Sequence, residues 1–585
     1  MLAWRSPWPI WPHEPATRTG CPHRWSRPIV SDLHTTAAEV NASRAARAWD
    51  GVRRAAAPAV GFAAAGVLLF LAYLRESRTV PANSDGAGNA LQAWDMLHGN
   101  VLLHGWFTTD VSFYTTELPQ YMLVELARGL GSDVVHVAAA MTYALLVLLA
   151  ALLARGRATG REAAARMLLA GGIMLAPTLG IGTLTLLLSP DHTGTMVPLL
   201  VMWLILDRAG RRWYVPVITG LILALSTVAD TVTLLEGTLP VIAVCLLRFV
   251  RDRHTGKSPR FELALAGSAA AASAGAAWLA IRLIRRAGGF IVQPVPTSLA
   301  PVGALGQHAV NTAKGLLVLF GSDFFGDRSP PYAGYFGNHP GPGAVVATVH
   351  LAGIALAAWA LCIALRHCYR GTEPVITGLA VAVVLLIAAY LVTVRSSNFI
   401  GLREMAGALP MLAVLAGRLL PARLTALRHA RPGLRRGAAA GLTIAMVAVG
   451  AGYVASLAYN ATRRPVPAPY QQVAGWLVAH HLSYGLGGYW QSDSITLETA
   501  GRVRVRAVQL AGGGATAGRW EARQQWYDPR LNDADFVVVS PGEDKLPPAA
   551  LAAVFGPPAR AYRVAGSLIL TWHKNLLTKV TVPRS

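Results

Sequence analysis

From residue 58 onward, apolar stretches recur at about the length an α-helix needs to cross a bilayer, roughly 20 residues. They fall near 58–74, 134–154, 163–189, 194–206, 213–229, 231–249, 262–284, 344–366, 373–394, 402–420 and 438–459, which predicts eleven crossings. The third is broken by Gly171, Gly172, Pro177, Gly180 and Gly182, and the short fourth contains Pro198. The segment 287–343 holds a further apolar helix near 304–320, expected along the interface or packed on the bundle. Beyond residue 460 the apolar runs shorten to strand length, as in VRVRAVQL (503–510), FVVVS (536–540) and GSLIL (566–570), with Gly and Pro between them. A helical segment near 470–482 precedes these runs. The pattern predicts an all-α polytopic membrane domain over 58–460 and a small C-terminal α/β domain over 461–585, joined through the Pro-rich stretch Arg464–Pro469.

Composition agrees with that division. Of 585 residues, 53% are hydrophobic and 14% charged, against roughly 25% charged in soluble domains. This excludes a soluble enzyme and a disordered chain. Residues 1–57 are rich in Trp, Pro and Arg without an apolar run, so they are expected to be a disordered tail rather than a signal peptide. Only five of the 52 basic residues are Lys, a bias that looks like the codon usage of a high-GC bacterial genome. The four cysteines, Cys21, Cys245, Cys362 and Cys368, form neither a disulfide framework nor a CxxC metal site.

The net charge of +22 would suit nucleic acid, but its distribution points to membrane topology. With the N-terminus inside, the loops 155–166, 207–212, 248–260, 366–373 and 418–436 carry 20 basic residues against four acids, as cytoplasmic loops do. The first outer segment, 75–133, reverses this with seven acids and three Arg. The expected arrangement is a multi-pass plasma-membrane protein with a cytoplasmic N-terminus, an extracytoplasmic C-terminal domain and no nucleic-acid partner.

Candidate chemistry gathers on the outer face. The first outer loop reads DGAGNALQAWDMLHGN from Asp85, and Ala90, Leu91, Trp94 and Leu97 predict a short amphipathic helix on the membrane surface. Asp85 stands just before that helix, where a helix-capping role is the simpler account. Asp110 and Glu117 follow among aromatics. The next outer turn, SPDHTGT, places Asp191 and His192 at the membrane face, while Asp230 and Glu236 lie within apolar sequence. Ionisable groups at such depth are costly and default to a functional reading. Arg282, Arg285, Arg286, Lys314, Arg395 and Arg403 lie on the same side, against the charge rule. Pairing of Arg403 with Glu404 along one helix is the plainer reading of that site. A guanidinium near the headgroups otherwise suits a lipid phosphate.

The long acidic first loop with Asp85 after the first span, the SPDHTGT motif, the many helices and the outer C-terminal domain resemble the GT-C integral-membrane glycosyltransferases. That class includes protein mannosyltransferases, aminoarabinose transferases and oligosaccharyltransferases. The resemblance covers residues 58–460 and places Asp85 at the family's catalytic Asp. Some members hold a divalent metal on paired acids in the second outer loop. This chain offers Asp191 and His192 instead, so a Mg or Mn site there and a metal-free site both stand.

The resemblance implies a polyprenyl-phosphate-linked sugar donor and a cell-envelope glycan, lipid or protein acceptor, with membrane lipids around the site. Transfer would invert the anomeric centre. A carboxylate (Asp85, with Asp110 and Glu117 as further candidates) would be general base. Arg403, Arg395, Lys314 and His192 would hold the substrate and its lipid phosphate. Two other readings remain: a polytopic transporter or lipid flippase, and an inactive GT-C-like envelope protein. In the C-terminal domain, Trp476, Tyr489, Trp490, Trp520 and Trp526 are expected to build an aromatic core, with sugar stacking as the alternative.

Overall fold

A computed structural model describes residues 59–582, apart from 189–191, 255–257, 296, 326–339, 371–372, 430–433 and 541–544. The expected disordered tail, 1–57, and the metal candidate Asp191 lie outside the described residues. The chain divides into two units, 1–64 and 65–585, and of the first only the opening turns of the helix Ala59–Ser77 are described.

Among the described residues, six helices are long and apolar enough to cross a membrane: Ala59–Ser77, Asp133–Arg155, Arg260–Arg286, Gly343–Cys368, Pro374–Val392 and Gly401–Arg423. Tyr214–Ala229 and Met446–Ala461 are shorter apolar helices. The third expected span is not one helix. It divides into Gly160–Ile173 and Ile181–Leu187, because Pro177 has no amide hydrogen to donate and Gly180 takes a positive φ of 85°. The tenth also departs from expectation: Phe399–Met405 is a 3-10 segment, and regular α-helix begins only at Ala408. The apolar helix Leu305–Leu319 packs on the bundle, burying His308, Asn311, Thr312, Gly315, Val318 and Leu319.

The C-terminal region is a seven-stranded mixed sheet flanked by helices. Its strands are β1 (Tyr484–Gly487), β2 (Arg504–Ala511), β3 (Gly514–Ala517), β4 (Phe536–Val539), β5 (Arg560–Val564), β6 (Ser567–Thr571) and β7 (Val580–Thr581), in the spatial order 5-6-4-1-2-3-7. The helix Tyr489–Glu498 makes the crossover between the parallel strands β1 and β2. Alternation along β4 sends Val537 and Val539 into one apolar cluster and Phe536 and Val538 into another, as the two-residue period of a strand requires. Strand β1 was hidden in the sequence by its glycines. Gly485 lies against the Phe536 ring, where a Cβ would collide.

The first outer loop does not lie free on a membrane surface. Its helix, Ser84–Leu97, is packed between the Tyr489–Glu498 helix and the helix Glu117–Arg128, and Ala90, Leu91, Ala93 and Met96 are buried. Trp106–Phe107 pairs antiparallel with Ala522–Arg523. Trp106 meets Trp526 edge-on at 4.9 Å, and Arg523 Nη1 reaches Asp95 Oδ1 at 3.0 Å. The expected aromatic core is thus partly a docking surface. Trp476, stacked on His480 at 3.8 Å, and the Tyr489–Trp490 pair, 5.1 Å apart, keep their ring contacts among C-terminal neighbours.

Candidate functional site

The first-loop helix begins at Ser84 because Asn83 caps it, its side chain accepting from the Gly86 amide at 3.1 Å. Asp85 is therefore not the cap. Its carboxylate stands in the first turn, where the helix dipole favours negative charge. Ser84 Oγ donates to the Tyr489 carbonyl at 2.8 Å, pinning this turn to the C-terminal domain. The Tyr489 hydroxyl lies 2.6 Å from Asp85 Oδ1 and 2.6 Å from Glu521 Oε2. Burial, then the two neighbouring carboxylates, push the phenol well above its ordinary range, so it stays a donor. On the other side Arg403 Nη1 lies 3.6 Å from Asp85 Oδ2.

A second set of groups forms a continuous chain beside the first. Asp110 Oδ2 accepts from Arg395 Nη2 at 2.7 Å, and Arg395 Nη1 is 3.4 Å from Glu404 Oε1. Glu404 Oε2 is 3.1 Å from His192 Nε2, and His192 Nδ1 is 2.6 Å from Asp230 Oδ2. Asp230 also accepts from the Val232 amide at 2.9 Å and from Thr195 Oγ1 at 3.3 Å. Burial disfavours a charged His192, but the attraction of Asp230 and Glu404 and their hydrogen bonds outweigh it, and its pKa is raised well above 6.5. His192 is thus an imidazolium donating from both nitrogens. Its φ of 60° is left-handed, an uncommon conformation that aims the ring between the two acids.

Behind this chain Glu117 accepts from Thr116 Oγ1 and crowds Gly194, whose missing side chain makes the room. Burial raises the Glu117 carboxyl to about 8, with Asp230 adding to the shift, so it holds a proton at neutral pH. Glu236 is fully buried against Gly407, and neither carboxyl oxygen has a hydrogen-bond partner among the described residues.

The sequence-derived candidates therefore divide. Asp85 and Arg403 come together, as do Asp110, Arg395 and His192. Glu117 sits behind them as a neutral, buried acid. Arg395 is not an idle phosphate ligand but the bridge between Asp110 and Glu404. Lys314 places its ammonium 4.9 Å over the Phe325 ring. Glu404 faces His192 and Arg395, and Arg403 faces Asp85. On a 3-10 turn, with three residues per turn, neighbours diverge by about 120°, and each finds a different partner. Glu521 had no signal in the sequence, and Tyr489 was expected only as a core or stacking aromatic; both come to Asp85 by the docking of the C-terminal domain.

Of the expected metal pair, Asp191 lies outside the described residues, and His192 faces a carboxylate at each ring nitrogen. Among the described residues no group of three His, Cys, Asp or Glu side chains is placed to hold an ion.

No family model and no curated protein matches the sequence. Solved structures do resemble the fold. Archaeal oligosaccharyltransferase AglB from Archaeoglobus fulgidus, in complex with an inhibitory peptide and a dolichol-phosphate, is 14% identical, with 82% of this chain and 69% of that chain covered and a TM-score of 0.41. The same organism's oligosaccharyltransferase in complex with Zn and sulfate is 14% identical, covering 81% and 67%, with a TM-score of 0.44. ArnT from Cupriavidus metallidurans bound to undecaprenyl phosphate is 13% identical, covering 88% of this chain and 97% of that one, with a TM-score of 0.48. At such likeness the functional reading has to stand on the residues of the outer face.

Proposed function

We propose that this protein is a membrane glycosyltransferase that moves a sugar from a polyprenyl-phosphate donor to an extracytoplasmic acceptor in one inverting displacement. The observation that carries the reading is the approach of Arg403 Nη1 to within 3.6 Å of Asp85 Oδ2 at the membrane surface. A carboxylate beside a guanidinium is what such a transfer needs. Asp85 takes the proton of the acceptor hydroxyl as it attacks, and Arg403 turns its fork to the departing lipid phosphate. The Asp110–Arg395–Glu404–His192–Asp230 chain fixes the 3-10 turn that carries Arg403. Asp110 and Glu117 are supporting groups in this scheme, because the first is engaged by Arg395 and the second is neutral. Lys314 and His192 are not assigned direct phosphate contacts.

The test is turnover of a lipid-linked sugar by the purified protein. Asp85→Asn keeps the shape but cannot accept a proton, so turnover falls by about 10²–10⁴-fold with donor binding intact. Arg403→Ala weakens donor use by about tenfold or more, and Arg403→Lys restores only part of it. Activity of Asp85→Asn within about threefold of the parent sinks the base assignment.

A further inference from the structure

A second built feature lies far from Asp85. A cavity of about 560 Å³ is walled by Trp203, Leu206, Val241, Val244, Phe261 and Leu265 and rimmed by charged side chains. Its place in the bundle follows from the helices it shares with the outer site. Thr193–Ala209 starts beside His192 and brings Asp207 to the cavity, fifteen residues or roughly 22 Å along the axis. Pro374–Val392 ends near Arg395 and presents Pro374 to the cavity. The cavity therefore opens at the opposite end of the bundle, the end where the basic loops gather. Trp213 is 83% exposed just beyond Arg211, with Tyr214 beside it, as aromatic residues stand at headgroup depth.

Five arginines line the cavity, Arg157, Arg166, Arg211, Arg248 and Arg418, against three acids, Glu162, Asp207 and Glu373. Arg418 is structural. Its buried guanidinium donates from Nε to the Leu153 carbonyl at 2.8 Å, meets Asp207 at 2.7 Å and also bonds Glu373, tying four helices into the cavity floor. Arg211 and Arg248 both approach one buried carboxylate oxygen, Glu262 Oε1, at 3.0 and 3.4 Å. Exposed Arg157 reaches only the Asp207 carbonyl, at 3.5 Å, among the described residues. The Nε of Arg166 is buried without a hydrogen-bond partner among the described residues. Arg166 Nη2 also bonds Glu162 at 2.7 Å, so of the five guanidinium groups Arg157 is the one whose contact among the described residues is a carbonyl rather than a carboxylate, in a cavity whose walls are apolar.

We propose that this cavity binds the phosphate headgroup of an anionic membrane lipid, with the start of an acyl chain against Leu206, Val244 and Phe261. An arginine rim over an apolar wall matches an amphiphile with a negative head. Basic pockets between transmembrane helices on the cytoplasmic side recognise such headgroups, and the guanidinium fork suits phosphate oxygens. Such a lipid would brace the inner ends of the helices whose outer ends carry His192 and Arg395.

The test uses the full chain in neutral detergent, titrated with short-chain phosphatidylglycerol, short-chain phosphatidylcholine or inorganic phosphate, and follows the melting temperature. Phosphatidylglycerol is expected to raise it saturably, while the other two leave it unchanged. In Arg157→Gln with Arg248→Gln the half-saturating phosphatidylglycerol concentration rises about tenfold or more. Leu206→Trp fills the cavity without changing its charge and abolishes the same shift, which separates the cavity from a diffuse surface potential. An equal shift with phosphatidylcholine, an equal shift with inorganic phosphate, or a phosphatidylglycerol shift that survives in Leu206→Trp overturns the proposal.

Discussion

The Tyr489 hydroxyl stands 2.6 Å from Asp85, joining a C-terminal helix to the first outer loop at the residue proposed as the base. The same oxygen is 2.6 Å from Glu521. A phenol has one hydrogen to donate. Contact with both carboxyl groups is therefore satisfied only if one of them carries a proton or the donor alternates. Either way the C-terminal domain contributes a side chain in contact with the proposed base.

Tyr489→Phe keeps the ring next to Trp490, 5.1 Å away, and removes the bond to Asp85. Hydrogen bonds to charged groups contribute about 1.5–3 kcal/mol. Turnover of a lipid-linked sugar should fall by about tenfold, with the protein still folded. Full turnover in the variant would show that Asp85 is positioned without Tyr489.

Docking of the domain depends on a glycine. A Cβ at Gly88 would come 2.6 Å from Glu521 Cδ and 2.9 Å from its Cβ. Gly88→Ala should destabilise the protein by about 1–3 kcal/mol. Glu521 has a φ of 49°, a conformation that glycine adopts without strain. Glu521→Gly in the same chain removes the clashing atoms and should restore most of the lost stability. Denaturation midpoints of the single and double variants measure this, and independent, additive losses would place the strain elsewhere.

Topology is open to a separate measurement. The basic loops and the acidic first loop put Arg212 inside and Pro465 outside. Reporter fusions at the two positions should read oppositely. A common readout would remove the orientation on which the proposed outer site rests.

Helices of the membrane region were legible because hydrophobic runs of bilayer length need no partner to declare themselves. Asp133–Arg155 and Pro374–Val392 begin and end within a few residues of expectation. Where Gly and Pro broke the run, as at Pro177, composition alone did not separate one helix from two. Asp85, Asp110, His192, Arg395 and Arg403 were legible as charges in apolar or outer sequence. Their partners were not. Arg403 and Glu404 are adjacent, but the sequence does not show that Glu404 faces His192 and Arg395 while Arg403 faces Asp85. Glu521 and Asp85 meet at the Tyr489 hydroxyl through tertiary docking, which no local pattern encodes.

Asp493 makes the C-terminal domain sensitive to pH. Burial raises its carboxyl from 3.8 to about 7, and Arg506, 4.0 Å away, only partly opposes this. The folded state therefore holds a proton that the unfolded chain has released between about pH 4 and 7. More protons bound in the folded state means stability falls as pH rises through that window. Asp493→Asn should remove that fall, on the order of a few kcal/mol, and melt higher than the parent at pH 8. Parallel pH profiles for the two proteins would mean that Asp493 is ionised in the fold.

His192 gives the opposite end of the scale. Its pKa is raised well above 6.5 despite burial, because Asp230 and Glu404 each face one ring nitrogen. A group with a raised folded pKa lends stability that is complete below its unfolded value, near 6.5, and is lost as pH climbs through the folded value. The parent protein should therefore lose stability on the alkaline side, well above neutrality. His192→Asn suits the left-handed backbone at this position but supplies no charge. Removing one partner from a buried ionic set costs about 3–5 kcal/mol, so the variant should melt lower at neutral pH. It should also lack the alkaline decline, since no imidazolium remains to deprotonate. Glu404→Gln leaves Asp230 as the remaining anion on the ring, and its alkaline decline should begin at lower pH than in the parent. Melting temperature followed across neutral and alkaline pH distinguishes the three proteins. If His192→Asn declines as the parent does, the imidazolium does not hold the Arg403 turn, and the chain from Asp110 to Asp230 has another anchor.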